Sequence, residues 1–383
     1  MDFKEMKKTI VFYYHSISQR IKNDWSRKYL TLEVNAFEAL LKYLINNKYK
    51  VISLEEAHAN NWNFKEKTAC LTFDDGFADF YIYVYPLLKK YKMPGTVFVS
   101  TEFVEDYRKE TLPTLQDYWA GNKNMKELDY WGYLNWEEMR LMEKSGWVKV
   151  ESHTATHMKY SSGPILKDVH HPGSNCLYPV GLLYPELKTK YIRESEAFER
   201  KLSYGYPFFE EKSAVLTPIH FPNSDLIKEV IEIFKDYNWA NYEKTKAVAL
   251  AENIVKQYRQ NDNVFEKIES KEEMEKRLHY EIVESKNILE KNLERPISFL
   301  CWPHGDNDKK SHDMAIKAGF LATSLGSKVQ TNDFSDRIPP RFQNKLINNS
   351  IRLGLFKMDM KIKEYQGAPF AKFISKVYKL KGK

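Results

Sequence analysis

The chain has 383 residues, 43% of them apolar, enough for one large domain or two ordinary ones around a sizeable core. Its formal net charge is +7, with no block of five like charges and no nucleic-acid motif, which argues against a nucleic-acid partner. No stretch approaches the roughly 18 apolar residues of a spanning helix, and three scattered cysteines, Cys70, Cys176 and Cys301, exclude a disulfide framework and suit a reducing compartment.

In chain order, the N-terminal MDFKEMKKTIVFYYHSIS places Lys7 and Lys8 before an apolar run too short for a signal-peptide core, so a cytoplasmic chain is expected. Short apolar runs predict strands at TIVFYYH (9–15), TACLTF (68–73), GTVFVS (95–100) and VKVESH (148–153). Two more follow at ISFLCWP (297–303) and GFLATSLG (319–326). Helices are predicted between them. NWEEMRLMEKSG (135–146) opens with Asn135 and Glu138 in capping-box spacing and stops at Gly146. The segment 270–296 opens with Ser270 and Glu273, carries an apolar stripe of Met274, Leu278, Ile282, Leu289 and Leu293, and ends at Pro296. Strands alternating with helices predict an α/β fold with a parallel barrel or sheet.

Residues 158–269 break this rhythm with a Pro-, Gly- and Tyr-dense start at 171–185 and helical patterns near 225–237 and 241–260. They are expected to form a mainly helical insertion over the active face, dividing the fold into 1–157 and 270–350. Residues 351–383 form a basic tail. Its end, 368–383, sets Phe370, Phe373, Ile374, Val377 and Leu380 at helical spacing against five lysines, a pattern suited to weak contact with an anionic bilayer.

Chemistry gathers at strand ends. In LTFDDGFADF, Asp74 and Asp75 end one strand; His153 ends another and is followed by His157; His15 and His304 follow two more. In a (β/α) barrel, such groups converge at the C-terminal face. Two imidazoles and one carboxylate oxygen make a facial site for a divalent ion such as zinc, and the other carboxylate is free to move a proton. A pair of aspartates alone is more often a turn or a cap. His170, His171, His220, His279 and His312 lack a comparable setting.

TFDDGF together with SHTATH resembles the polysaccharide deacetylases of the NodB-homology type, carbohydrate esterase family four. YYHSI (13–17), ISLEEA (52–57), PGTVFVS (94–100), LNWEEMRLMEKSGW and ESKNILEKNLERPISFLCWPHGDND are similar to flanking motifs of the branch containing the poly-N-acetylglucosamine deacetylases. The resemblance covers about 1–157 and 270–345. It implies a distorted, incomplete (β/α) barrel and metal-dependent deacetylation of sugars. Carried over by motif, Asp74 is the base and Asp75, His153 and His157 hold the metal, Zn2+ foremost, with Ni2+ or Co2+ as alternatives. Thr154 braces the histidine site, and His15 is the general acid. His304 stands where the family usually has Tyr; its backbone N–H is expected to stabilise an oxyanion. Arg341 is expected to orient the base, with Arg337 as the alternative. The long insertion puts a long linear polymer in doubt as substrate and leaves an N-acetylated sugar, free or lipid-linked. Hydrolysis of another small amide, or non-catalytic glycan binding, are the competing readings.

Overall fold

Apolar residues at every position of a strand mark burial on both faces, the condition of strands in a parallel sheet wrapped by helices. The computed structural model, which describes residues 6–19, 30–326, 329–343, 350–368 and 371, has that architecture. Its barrel strands are β1 (Ile10–Tyr14), β2 (Thr68–Phe73), β3 (Gly95–Val99), β4 (Val148–Ser152), β5 (Phe299–Leu300), β6 (Ala322–Ser324), β7 (Arg337–Ile338) and β8 (Arg341–Phe342). They pair in the order β7-β6-β5-β4-β3-β2-β1-β8, every pairing parallel. The short strand Lys50–Val51 pairs with the start of β2, while β3 pairs with its end, so the ladder is displaced there.

The ring nearly closes through one segment. β7 pairs with β6 and β8 pairs with β1, and only Pro339 and Pro340 separate them. Neither proline has an N–H to donate, so no single ladder runs through both edges. The result is the distorted, incomplete α/β barrel expected from the motifs, and each of the six predicted runs contains a strand. Alternate residues face opposite ways. Ile10, Phe12, Leu71 and Phe73 join the larger apolar cluster, whereas Val11, Cys70, Phe98, Phe299 and Cys301 join a smaller one.

The helix Trp136–Lys144 has the expected capping box, with Asn135 accepting from Glu138 N at 2.9 Å and Glu138 accepting from Asn135 N at 3.1 Å. The helix expected over 270–296 is unbroken from Lys271 to Leu293 but changes its winding midway. It runs as Lys271–His279 and Ser285–Leu293, joined by a π-helical turn at Tyr280–Glu284.

Within 158–269, helices at Leu177–Leu183, Ser195–Glu199, Ser224–Ile233 and Lys244–Gln260 outweigh the strands. The sequence reading did not anticipate two antiparallel pairs, Lys159–Val169 with Pro207–Ser213 and His220–Pro222 with Phe265–Ile268. Leu166, Phe209, Val230, Phe234, Ala251 and Val255 give this segment its own core. A further cluster seats it on the barrel loops, where Leu177, Val180, Tyr191 and Phe198 meet Phe77, Phe103 and Tyr133.

The helix Ile351–Tyr365 packs Met358 and Ile362 into the main core, and Tyr43 donates to Asp359 at 2.6 Å. Most of the predicted cationic helix, residues 369–370 and 372–383, lies outside the described residues. Among the described residues, no helix is long and apolar enough to cross a membrane.

Candidate active site

The ends of β2 and β4 continue the sheet by one more residue, on β1 and β3 respectively. Asp74 N donates to Tyr14 O at 2.8 Å and His153 N to Val99 O at 2.9 Å, so both side chains leave from fixed backbone. Asp75 and Gly76 then take φ of 75° and 71°, turning the chain sharply after Asp74. A side chain at Gly76 would also meet Val99 Cγ2 at 3.1 Å, which leaves glycine as the residue that fits. Thr154 and His157 are likewise left-handed, at φ 63° and 52°, and this folds His157 back beside His153.

Asp75 Oδ1 lies 3.2 Å from His153 Nε2 and 3.1 Å from His157 Nε2. His153 Nδ1 is 2.7 Å from the Cys301 carbonyl oxygen. A carbonyl only accepts, so Nδ1 carries a proton, and Nε2 is the ring nitrogen left to face the Asp75 carboxylate. Asp75 Oδ1 is buried, and these two imidazoles hold its carboxyl well below the usual carboxylate value against the opposing effect of burial. Three ligand-type atoms converging within 4.8 Å of one another fit a cation, and two imidazoles with one carboxylate oxygen suit zinc. Asp75, His153 and His157 would hold it.

The histidine turn is braced from a distant helix. Glu281, in the π-helical turn, accepts from Ala155 N at 3.2 Å, Thr156 N at 2.9 Å and the Thr156 hydroxyl. Ser100 donates to the His153 carbonyl at 2.7 Å. Thr154 takes part through its backbone, N–H to Ser152 Oγ at 3.3 Å and carbonyl from Thr101 N at 3.3 Å. The side-chain bracing thus comes from Ser100, Thr156 and Glu281, which sequence reasoning missed. Its signal was a carboxylate set three residues after Leu278, on the apolar stripe of the predicted helix.

Asp74 is gripped by Arg341, Nη1 to Oδ1 at 2.7 Å and Nη2 to Oδ2 at 2.9 Å. Arg341 Nη2 also lies 2.9 Å from Cys301 Sγ, and its guanidinium stands 4.8 Å from the Tyr13 ring centre. Burial acts to raise the Asp74 carboxyl; the Arg341 charge and hydrogen bonds outweigh it and hold it below the usual carboxylate value. Arg337 is engaged elsewhere, with Asn307 at 3.0 Å and Thr323 at 3.1 Å. Of the two arginines, only Arg341 reaches Asp74.

His15, Asp74, Asp75, His153, His157, His304 and Arg341 line one cavity of about 560 Å³, with Thr154 buried behind it. His15 Nδ1 is buried without a hydrogen-bond partner among the described residues. His304 has φ 61°, and its ring lies 4.6 Å from that of His157. Burial, then the neighbouring His157 and Lys159, push its imidazole well below the usual value, so it is neutral. One wall is apolar, from Phe77, Phe103 and Tyr133 of the barrel loops and Leu177, Tyr178, Tyr191 and Ile192 of the insertion. Trp302, also missed from the sequence, lines the cavity with its indole N–H buried and unpartnered among the described residues.

Residues 61–190 match the Polysaccharide deacetylase family model. That span, about a third of the chain, is similar to polysaccharide deacetylases. The matched span contains Asp74 and the three candidate metal ligands but neither His15 nor Arg341. The chain is 31% identical over 152 residues to the putative polysaccharide deacetylase YxkH of Bacillus subtilis, covering 39% of this chain and 43% of that protein. It is 28% identical over 171 residues to a poly-beta-1,6-N-acetyl-D-glucosamine N-deacetylase of Staphylococcus aureus, covering 41% and 50%. The chain therefore spans about half the length of the curated relatives it matches. A solved de-N-acetylase from Aggregatibacter actinomycetemcomitans shares the fold, at TM-score 0.52 and 19% identity over 90% of this chain and 98% of that one.

Proposed function

We propose that the protein is a metal-dependent hydrolase that removes the acetyl group from an N-acetylated sugar. The observation that carries this reading is the convergence of Asp75, His153 and His157 beside a buried, arginine-held Asp74 in one cavity. Bound there, a divalent ion, Zn2+ first and Ni2+ or Co2+ as alternatives, supplies Lewis-acid polarisation for amide hydrolysis. Asp74 accepts a proton from the attacking water as the new C–O bond forms. Arg341 keeps its carboxylate ionised and aimed. The His304 backbone N–H steadies the developing oxyanion. His15 gives a proton to the leaving amine nitrogen as the C–N bond breaks, so acetate and a free amine result.

The name of the Staphylococcus aureus relative makes N-acetylglucosamine the first sugar to assay, and our reading places the reaction in cell-surface glycan synthesis. Three buried free cysteines support a reducing, cytoplasmic location. The lysine pattern of 368–383 supports weak attachment to the inner membrane face, beside lipid-linked sugars. Hydrolysis of another small amide is a second reading, favoured by the apolar wall of Phe77, Phe103, Leu177 and Ile192.

The test is acetate release from N-acetylglucosamine and its β-1,6-linked oligomers by the zinc-loaded chain. Turnover that vanishes in Asp74→Asn while bound zinc is retained is expected. Turnover persisting in that variant would remove Asp74 from the base role, and release from simple amides but never from sugars would favour the second reading.

A further inference from the structure

Beside the metal cavity lies a second one, of about 250 Å³, lined only by residues between Lys159 and Glu266 and so built wholly from the insertion. The two share a wall. Tyr178 lines both, with its ring 6.0 Å from the His304 ring and with Lys159 Nζ 5.8 Å from its centre. The second cavity presents the rings of Tyr206, Phe208 and Phe221, with Glu211 and His220 as polar groups. Glu211 is exposed. His220 lines the cavity with its ring packed edge-on against Phe265, 4.9 Å between centres.

A sugar ring has an apolar C–H face and a rim of hydroxyls. Aromatic walls take the face, and a carboxylate and a ring nitrogen take the rim. The volume falls below the roughly 300–1,000 Å³ of sites for drug-sized ligands, which suits one ring and not a chain. The insertion is also anchored, so the two cavities hold a fixed relation. Arg277, on the barrel helix Lys271–His279, donates to the Thr217 carbonyl at 2.8 Å and pairs with Glu269 at 2.6 Å, and Lys188 pairs with Glu102.

We propose that this cavity is a second sugar subsite, holding the residue next to the one that loses its acetyl group, and that the substrate is a short oligosaccharide engaged through two rings. The inference rests on the sugar-deacetylase reading above. The insertion then measures the glycan rather than merely roofing the metal.

The experiment uses the full-length, zinc-loaded Asp74→Asn chain, titrated calorimetrically with N-acetylglucosamine and its β-1,6-linked dimer and tetramer. The dimer should bind about tenfold tighter than the monosaccharide, and the tetramer no more than about twofold tighter than the dimer. Adding His220→Ala or, with less risk to folding, Glu211→Gln should reduce the dimer-to-monosaccharide ratio about fivefold. Equal affinity for monosaccharide and dimer, or a ratio untouched by both substitutions, overturns the subsite. A tetramer that binds far more tightly than the dimer overturns the two-ring limit. If no saccharide binds, the subsite and the sugar reading fall together. If the expected ratios appear but the unsubstituted chain releases no acetate, the reading of the reaction fails and the subsite stands.

Discussion

Replacing Arg341 with Met would leave the Asp74 carboxylate without its partner in a nearly closed site. The Asp74 and Arg341 side chains are 5% and 13% exposed and joined by two hydrogen bonds, so solvent screens the pair little. Removing one member of a buried pair costs about 3–5 kcal/mol, most of it the uncompensated charge left behind. The cost depends on pH, and the sign can be worked out. With Arg341 present, the Asp74 pKa is depressed, so the pair stabilises the fold above the unfolded carboxylate value and loses that stabilisation only as pH falls through the depressed one. Without it, burial alone acts and raises the pKa. The protonated carboxyl then favours the fold at low pH, and this is lost as pH rises through the raised value. The deficit of Arg341→Met should therefore grow from acid to neutral pH. Urea unfolding at pH 4.5 and pH 7.5, at constant metal, measures it. In an Asp74→Asn background the same substitution should cost far less, because no charge is stranded. A deficit equal at both pH values, or below about 1 kcal/mol at neutral pH, would refute the account of this pair as a buried ionic contact.

His153→Ala should lose most of its bound zinc by elemental analysis while its circular dichroism is retained; full occupancy would strike His153 from the ligand set. Glu281→Gln should weaken zinc binding about tenfold, as loss of a residue orienting ligands does, in competition with a fluorescent chelator. Unchanged affinity would leave Glu281 a packing residue. His15→Ala should lower kcat about 10²-fold or more, and less for substrates with better leaving groups. An equal loss across leaving groups would argue that His15 only positions.

β1 to β6 were legible because each lies in a short, mostly apolar stretch of sequence. β7 and β8 were not, since two residues on either side of Pro339 and Pro340 make no run at all. Those prolines also decide between the two arginines. Arg337 sits on the strand paired with β6 and Arg341 on the strand paired with β1, a difference of neighbours that spacing does not reveal. Lys159–Val169 was hidden by Gly163 and Pro164 in its middle, where the pairing register shifts between Ser161 and Leu166. Within the site, Asp74, Asp75, His153 and His157 were legible from their places at strand ends. The brace at Glu281 needs a π-helical turn that an ordinary helical pattern conceals. The support at Cys301 is a backbone carbonyl, which has no side-chain signature.

The segment that seals the barrel also has a consequence for biogenesis. Arg341 and Asp74 are 267 residues apart, and the pairing of β8 with β1 spans still more of the chain. Ribosomes add about 5–20 residues per second, so Asp74 waits tens of seconds after its own synthesis for Arg341 to be made. A nascent chain halted after β6 already carries Asp75, His153 and His157, the residues proposed to hold a metal, yet it lacks the cation that keeps Asp74 ionised. On the proposed reading, the metal ligands are thus made before the pair that moves the proton is complete.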